Sequence, residues 1–117
     1  MTADLVRLPV FDGHNDILSR LMREGVAGAE QRFLKGQEGV HIDLPRARQG
    51  GLAGGLCAIY VPSPAGGLDA NGDLPRVELH SAIDQTIGQA ALLRRIEAQS
   101  GGDFTICTTA AEIRVAM

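Results

Sequence analysis

The chain has 117 residues, 44% of them hydrophobic and 21% charged, a length and balance suited to one modest folded domain and not to a disordered segment. Its acids and bases are interspersed with a net charge of -3, and only 3% of residues are aromatic, with no Trp; without a basic run or a stacking platform, nucleic acid is a poor partner. Asp4 and Asp12 interrupt the N-terminus before a signal segment can form, and no apolar run nears the roughly 20 residues that span a bilayer, which implies a cytoplasmic protein with no membrane segment.

Leu5 to Phe11 is a short apolar run that predicts a strand ending at the Asp12-Gly13 turn. Ile17, Leu18, Leu21 and Met22 then recur at helical spacing and predict a short helix from Asp16 to Arg23, stopped by Gly25 and Gly28. Residues 29–42 are mixed and polar and read as a solvent-facing loop. Asp43-Leu44-Pro45 offers an N-cap with Pro in the first turn, so Pro45 to Gln49 is expected to be helical, closed by Gly50-Gly51.

The apolar run Leu56 to Val61, bounded by Gly55 and Pro62, predicts a second strand covered on both faces as in a parallel sheet. Ser63 to Asp73 reads as a surface loop able to border a site. Leu79, Ile83, Ile87, Ala90, Leu93 and Ile96 are spaced by three or four, predicting one long amphipathic helix that ends before Gly101-Gly102. Phe104 to Thr108 alternates like a strand, and Thr109-Ala110-Ala111-Glu112 matches a capping box that opens a last helix. Strand and helix alternate, which implies an α/β fold with parallel crossovers. The last helix has no C-terminal signal before Met117, so the expectation is a chain cut within a larger domain.

Chemistry concentrates at His14-Asn15-Asp16. In extended backbone, residues i and i+2 share a face, so one imidazole and one carboxylate converge while Asn15 points the other way. Nitrogen and oxygen donors of this kind suit a first-row metal, and strand C-terminal ends are where barrel enzymes keep their sites, which makes the pair a candidate zinc half-site. His41-Ile42-Asp43 repeats the pattern, but Asp43 precedes Leu44-Pro45 and is better explained as a helix cap. Gly50 to Gly55 fits neither GxGxxG nor a P-loop and reads as turn and close packing. His80 has no ligand-like spacing to another candidate and is expected to be solvated. Cys57 and Cys107 lack CxxC spacing and read as buried thiols. No serine lies in a nucleophile elbow.

Phe11-Asp12-Gly13-His14-Asn15-Asp16 followed by Ile17-Leu18 resembles the opening signature of the membrane (renal-type) dipeptidases of the amidohydrolase superfamily. A second block, His41 to Arg46 through Gly50 to Gly55 to Ala58-Ile59-Tyr60-Val61-Pro62, is similar to that family's next segment in the same order. Thr108 to Arg114 is similar to the stretch before the strand that carries the family's metal-bridging glutamate, which makes Phe104 to Thr108 peripheral and not a third barrel strand.

The resemblance implies residues 1–117 as the N-terminal part of a metal-dependent (β/α)8 barrel, truncated before its third strand, against about 250 residues for a whole barrel. It implies a zinc-dependent dipeptidase hydrolysing dipeptides through a metal-bound hydroxide, with two zinc ions in the complete enzyme and a homodimeric assembly. His14 and Asp16 would hold one ion; the bridging glutamate, two later histidines and the general base are expected beyond the chain end, so the 117 residues alone are expected to bind zinc poorly and lack activity. Tyr60 stands either at the substrate pocket or in packing, and Asp12 and Asn15 either orient the turn or bond to the ligands. Two alternatives stay open: another amidohydrolase-type enzyme such as a deacylase or lactamase, and a non-catalytic remnant or interaction fragment.

Overall fold

The computed structural model describes residues 8–117, so the Leu5 to Arg7 portion of the first expected strand lies outside the described residues. The element order is β1 (Val10–Asn15), α1 (Ile17–Glu24), α2 (Ala29–Lys35), α3 (Leu44–Gly50), β2 (Leu52–Cys57), α4 (Leu79–Gln99) and α5 (Ala110–Ala116). β1 and β2 pair in parallel, and α1 to α3 form the crossover that parallel pairing requires.

The local signals hold where they are strongest. Asp43 accepts from the Arg46 backbone N–H at 2.8 Å and starts α3, with Pro45 in its first turn and Gly51 closing it at φ 80°. Thr109 and Glu112 form the reciprocal capping box of α5. Glu78 caps α4 by accepting from the His80 and Ser81 N–H groups.

Four expectations are corrected. Residues 29–42 are not all loop: Ala29 and Phe33, one turn apart, are buried in α2, and Glu30 is held by Arg95 of α4. β2 begins four residues before the apolar run and ends at Cys57, because its partner β1 ends at Asn15, whose carbonyl takes the Ala58 N–H at 2.9 Å. Nor is β2 covered on both faces, since Leu56 is 59% exposed and no residue of the strand is buried. Phe104 to Thr108 forms no strand; Phe104 stacks edge-on against Phe33 at 5.5 Å, and the Ile106 N–H goes to the Glu97 carboxylate instead of a ladder.

The core is helical: Ile17, Leu18 and Leu21 of α1, Ala29 and Phe33 of α2, and Leu92 and Ile96 of α4. Arg32 ties the α1 to α2 turn by donating to the carbonyls of Leu21, Gly25 and Ala27, which lie at and beyond the end of α1. The apolar stripe of α4 divides. Leu92 and Ile96 are buried, whereas Leu79, Ile83 and Ile87 are exposed on a flank roughly 160° away at about 100° per residue. With Val10, Phe11, Leu56, Ile59 and Tyr60 also exposed, the radius of gyration is 17.0 Å, against about 13 Å for a compact domain of this length. No described helix is long and apolar enough to cross a membrane.

Candidate functional site

The C-terminal ends of β1 and β2 lie side by side, and the candidate residues gather there. Between the pairs Asp12↔Gly55 and Asn15↔Cys57, β1 carries one residue more than β2, a bulge of the kind that re-aims side chains beside active sites. From within it and just past it, His14 Nε2 and Asp16 Oδ1 stand 3.2 Å apart, with side chains 68% and 53% exposed. Sequence spacing thus identifies the pair, although His14 lies inside the strand and not after it.

Asp16 occupies the N-cap position of α1, yet its carboxylate makes no capping bond. Asn15 Oδ1 accepts the Ile17 N–H at 3.3 Å, and the Asp16 backbone carbonyl takes the Ser19 hydroxyl at 3.1 Å and the Arg20 N–H at 3.0 Å. An Asp before a helix that leaves the cap unused has its oxygens free for another partner. Asn15 Nδ2 also donates to Asp12 Oδ2 at 2.9 Å, so Asn15 does face away from the pair. Burial pushes the neighbouring Cys57 thiol up, with the nearby Asp12 charge adding to the rise and a hydrogen bond with Asn15 opposing it. Cys57 and Cys107 are free thiols, half-buried and not fully enclosed.

The donor set fits a zinc ion as far as it goes. Two ligands about 2.1 Å from a tetrahedral ion stand about 3.4 Å apart, close to the 3.2 Å between His14 Nε2 and Asp16 Oδ1. Among the described residues the pair belongs to no group of three or more His, Cys, Asp or Glu side chains that could hold a metal. It borders a cleft of about 380 Å³ lined also by Arg20, Arg23 and His41. A wider hollow of about 830 Å³ in the 66–76 loop shares no residue with it.

The other candidates separate from this pair. Asp43 is 3% exposed and accepts from Arg46 and Gln37 N–H groups, which is the capping role its sequence context indicates, while His41 is exposed across the cleft. His80 is exposed at the start of α4. The side chain of Tyr60 is exposed just past the end of β2 and not packed, while its backbone is clamped by buried Gln89, which accepts the Tyr60 N–H at 3.1 Å and donates to its carbonyl at 2.7 Å. Sequence reasoning misses that clamp: Gln89 is one polar residue on an otherwise apolar helix flank, the only signal available. The glycine run is close packing as expected, since a Cβ on Gly54 would lie 3.0 Å from the Phe11 ring.

The model of the family described as membrane dipeptidase (peptidase family M19) matches residues 2–117. A crystal structure of the metallopeptidase dipeptidase AC, of the same peptidase family, superposes with a TM-score of 0.81 and 44% identity, over 94% of this chain and 31% of its own. Dipeptidase ataJ of Aspergillus terreus is 30% identical over 113 residues, 93% of this chain and 26% of that protein. An uncharacterized protein in the PQQ-III 3'region of Acinetobacter calcoaceticus is 40% identical over 55 residues, 47% of this chain and 18% of its own length. The chain therefore spans between 18% and 31% of the proteins it is similar to. The chain belongs to the membrane dipeptidase family, peptidase family M19.

Proposed function

We propose that these residues supply the first two β/α units of a (β/α)8 zinc dipeptidase, with His14 and Asp16 as two ligands of one zinc ion. The observation that carries the reading is the 3.2 Å approach of His14 Nε2 to Asp16 Oδ1 at a strand's C-terminal end, with the Asp16 cap left unmade. The uncovered faces of β1, β2 and α4 support the larger barrel, because an apolar flank left in water loses the burial that stabilises such folds.

Zinc, when bound, polarises a scissile carbonyl and lowers the pKa of water, so a peptide bond can be attacked without a side-chain nucleophile. The chain's own residues hold and orient. His14 offers a neutral nitrogen and Asp16 an anionic oxygen, both of which bind metal only when deprotonated, so affinity falls in acid. The Gln89 clamp fixes the backbone of Tyr60 at the same end of the sheet, which leaves its phenol to face substrate. Proton transfer is assigned to none of the described residues; the bridging glutamate, the two later histidines and the base belong to the remainder of the barrel. The 117 residues alone are inactive on this reading.

The test is hydrolysis by the complete protein of a dipeptide, an N-acyl amino acid and a lactam, before and after chelation and zinc repletion. Preferred cleavage of the dipeptide, lost on chelation and restored by zinc, is the expected result. Preference for either other substrate makes it a different amidohydrolase-type enzyme; undiminished cleavage in chelator overturns the metal reading, and absence of all three activities leaves a non-catalytic remnant.

A further inference from the structure

We infer that Asp12 and Asn15 form a polar bracket across the β1 bulge that fixes the separation and direction of the His14 and Asp16 donor atoms; the inference rests on the ligand assignment proposed above. A bulge leaves an extra residue outside the ladder, and its backbone needs other partners. Here side chains provide them. Asp12 Oδ1 accepts the His14 N–H at 3.4 Å while Oδ2 accepts Asn15 Nδ2 at 2.9 Å. Asn15 is also tied at two further points: its Oδ1 accepts the Ile17 N–H at 3.3 Å, and its backbone carbonyl accepts the Ala58 N–H at 2.9 Å.

Each donor residue is therefore tied from outside its own side chain. His14 is held at its N–H, and Asp16 is held through the residue before it and the residue after it. The opposing strand leaves room for this: a Cβ on Gly55 would lie 3.1 Å from Asp12 Cβ and 3.4 Å from Asn15 Nδ2, tighter than side chains ordinarily approach. Asn15 holds the Ile17 N–H, while the Asp16 carboxylate makes no capping bond and turns to His14. Asp12 and Asn15 are thus positioning residues, acting through the two ligands without touching a metal themselves. Groups that orient metal ligands in this way are worth about 10- to 100-fold in metal affinity.

The test follows the His14 ring resonances of the complete protein during a Zn²⁺ titration, together with hydrogen exchange at the His14 and Ile17 amides. In Asn15→Leu, similar in size but without polar atoms, zinc affinity is expected to fall about tenfold or more and both amides to lose protection. The exchanged pair Asp12→Asn with Asn15→Asp keeps the bond between the two side chains, the acceptors for the His14 and Ile17 N–H groups and the total charge, losing only the Asn15 bond to Cys57; it is expected to restore the amides and the affinity. If Asn15→Leu does not fold, Asn15→Asp alone, which sets two carboxylates face to face, replaces it in the comparison. A purely structural role would lower the melting temperature and leave zinc affinity of the folded protein unchanged, which overturns the inference, as does an exchanged pair that fails to rescue. Wild-type protein with protected amides but no His14 response to zinc removes the ligand assignment itself, and the bracket is then a fold device only.

Discussion

Two tripeptides of the same form, His14-Asn15-Asp16 and His41-Ile42-Asp43, each stand immediately before a helix, and the fold uses them in opposite ways. Asp43 is buried and turned onto α3, where it takes the Arg46 and Gln37 N–H groups. Asp16 is half exposed, leaves α1 uncapped and faces His14. The difference lies in the middle residue and the backbone before it. Asn15 has an oxygen to give to the first helical N–H, and it sits on a bulged strand whose pairing ends there; Ile42 has no such atom, and Pro45 behind it commits Asp43 to the cap. A carboxylate before a helix is available for chemistry when it leaves the cap unmade.

That contrast is broken most directly at the ligands. His14→Ala or Asp16→Asn is expected to lower zinc affinity by at least the 10- to 100-fold attached to mere supporting groups, while stability changes by no more than about 0.5 kcal/mol, as for surface positions. Asp16→Asn unfolding the protein would mean the carboxylate is structural after all. Asp43→Ala reverses the pattern: it strips the cap from α3 and orphans the Gln37 N–H, costing about 1 to 2 kcal/mol, or several degrees of melting temperature, with zinc affinity unmoved. Calorimetry beside a metal titration checks both variants on the same samples.

Acid sharpens the division more gently. The His80 and Ser81 N–H groups hold the Glu78 carboxyl below its ordinary value of 4.5, and the Thr108 N–H does the same for Glu112. A carboxyl depressed in the fold contributes stability that is present above its unfolded value and lost as pH falls through the lower folded value. Unfolding followed from pH 6 downward is therefore expected to weaken below about 4.5, and Glu78→Gln with Glu112→Gln should flatten that slope. A slope unchanged in the double variant assigns the acid sensitivity elsewhere. Smallest of all, His41→Ala should leave zinc affinity within about twofold, far short of the effect of even a supporting group, although His41 lines the same cleft as His14.

What the sequence makes legible follows the range of the interactions involved. Asp43-Leu44-Pro45 and Thr109 to Glu112 carry their caps within a few residues, and both helices start where those residues place them. α2 escapes because its support is distant: Glu30 meets Arg95 and Phe33 meets Phe104, partners that no window of local sequence contains. The bounds of β2 escape for a related reason, since a strand extends only as far as its partner does and the apolar run at 56–61 does not report where β1 ends. Phe104 to Thr108 shows the converse, an alternating pattern with no strand beside it. At the site, alternation in extended backbone brings His14 and Asp16 together as read, while the bulge that makes Asp12 and Asn15 partners depends on the register against Gly55 and Cys57.

The central claim is that one His-x-Asp pair binds metal and its twin does not, and a Zn²⁺ titration of the complete protein followed at the His14, His41 and His80 rings tests it in a single experiment. The expected result is a saturable shift of His14 alone, abolished by Asp16→Asn and unaffected by Asp43→Asn. A response centred on His41 or His80, or a His14 response that survives the loss of Asp16, would contradict the account.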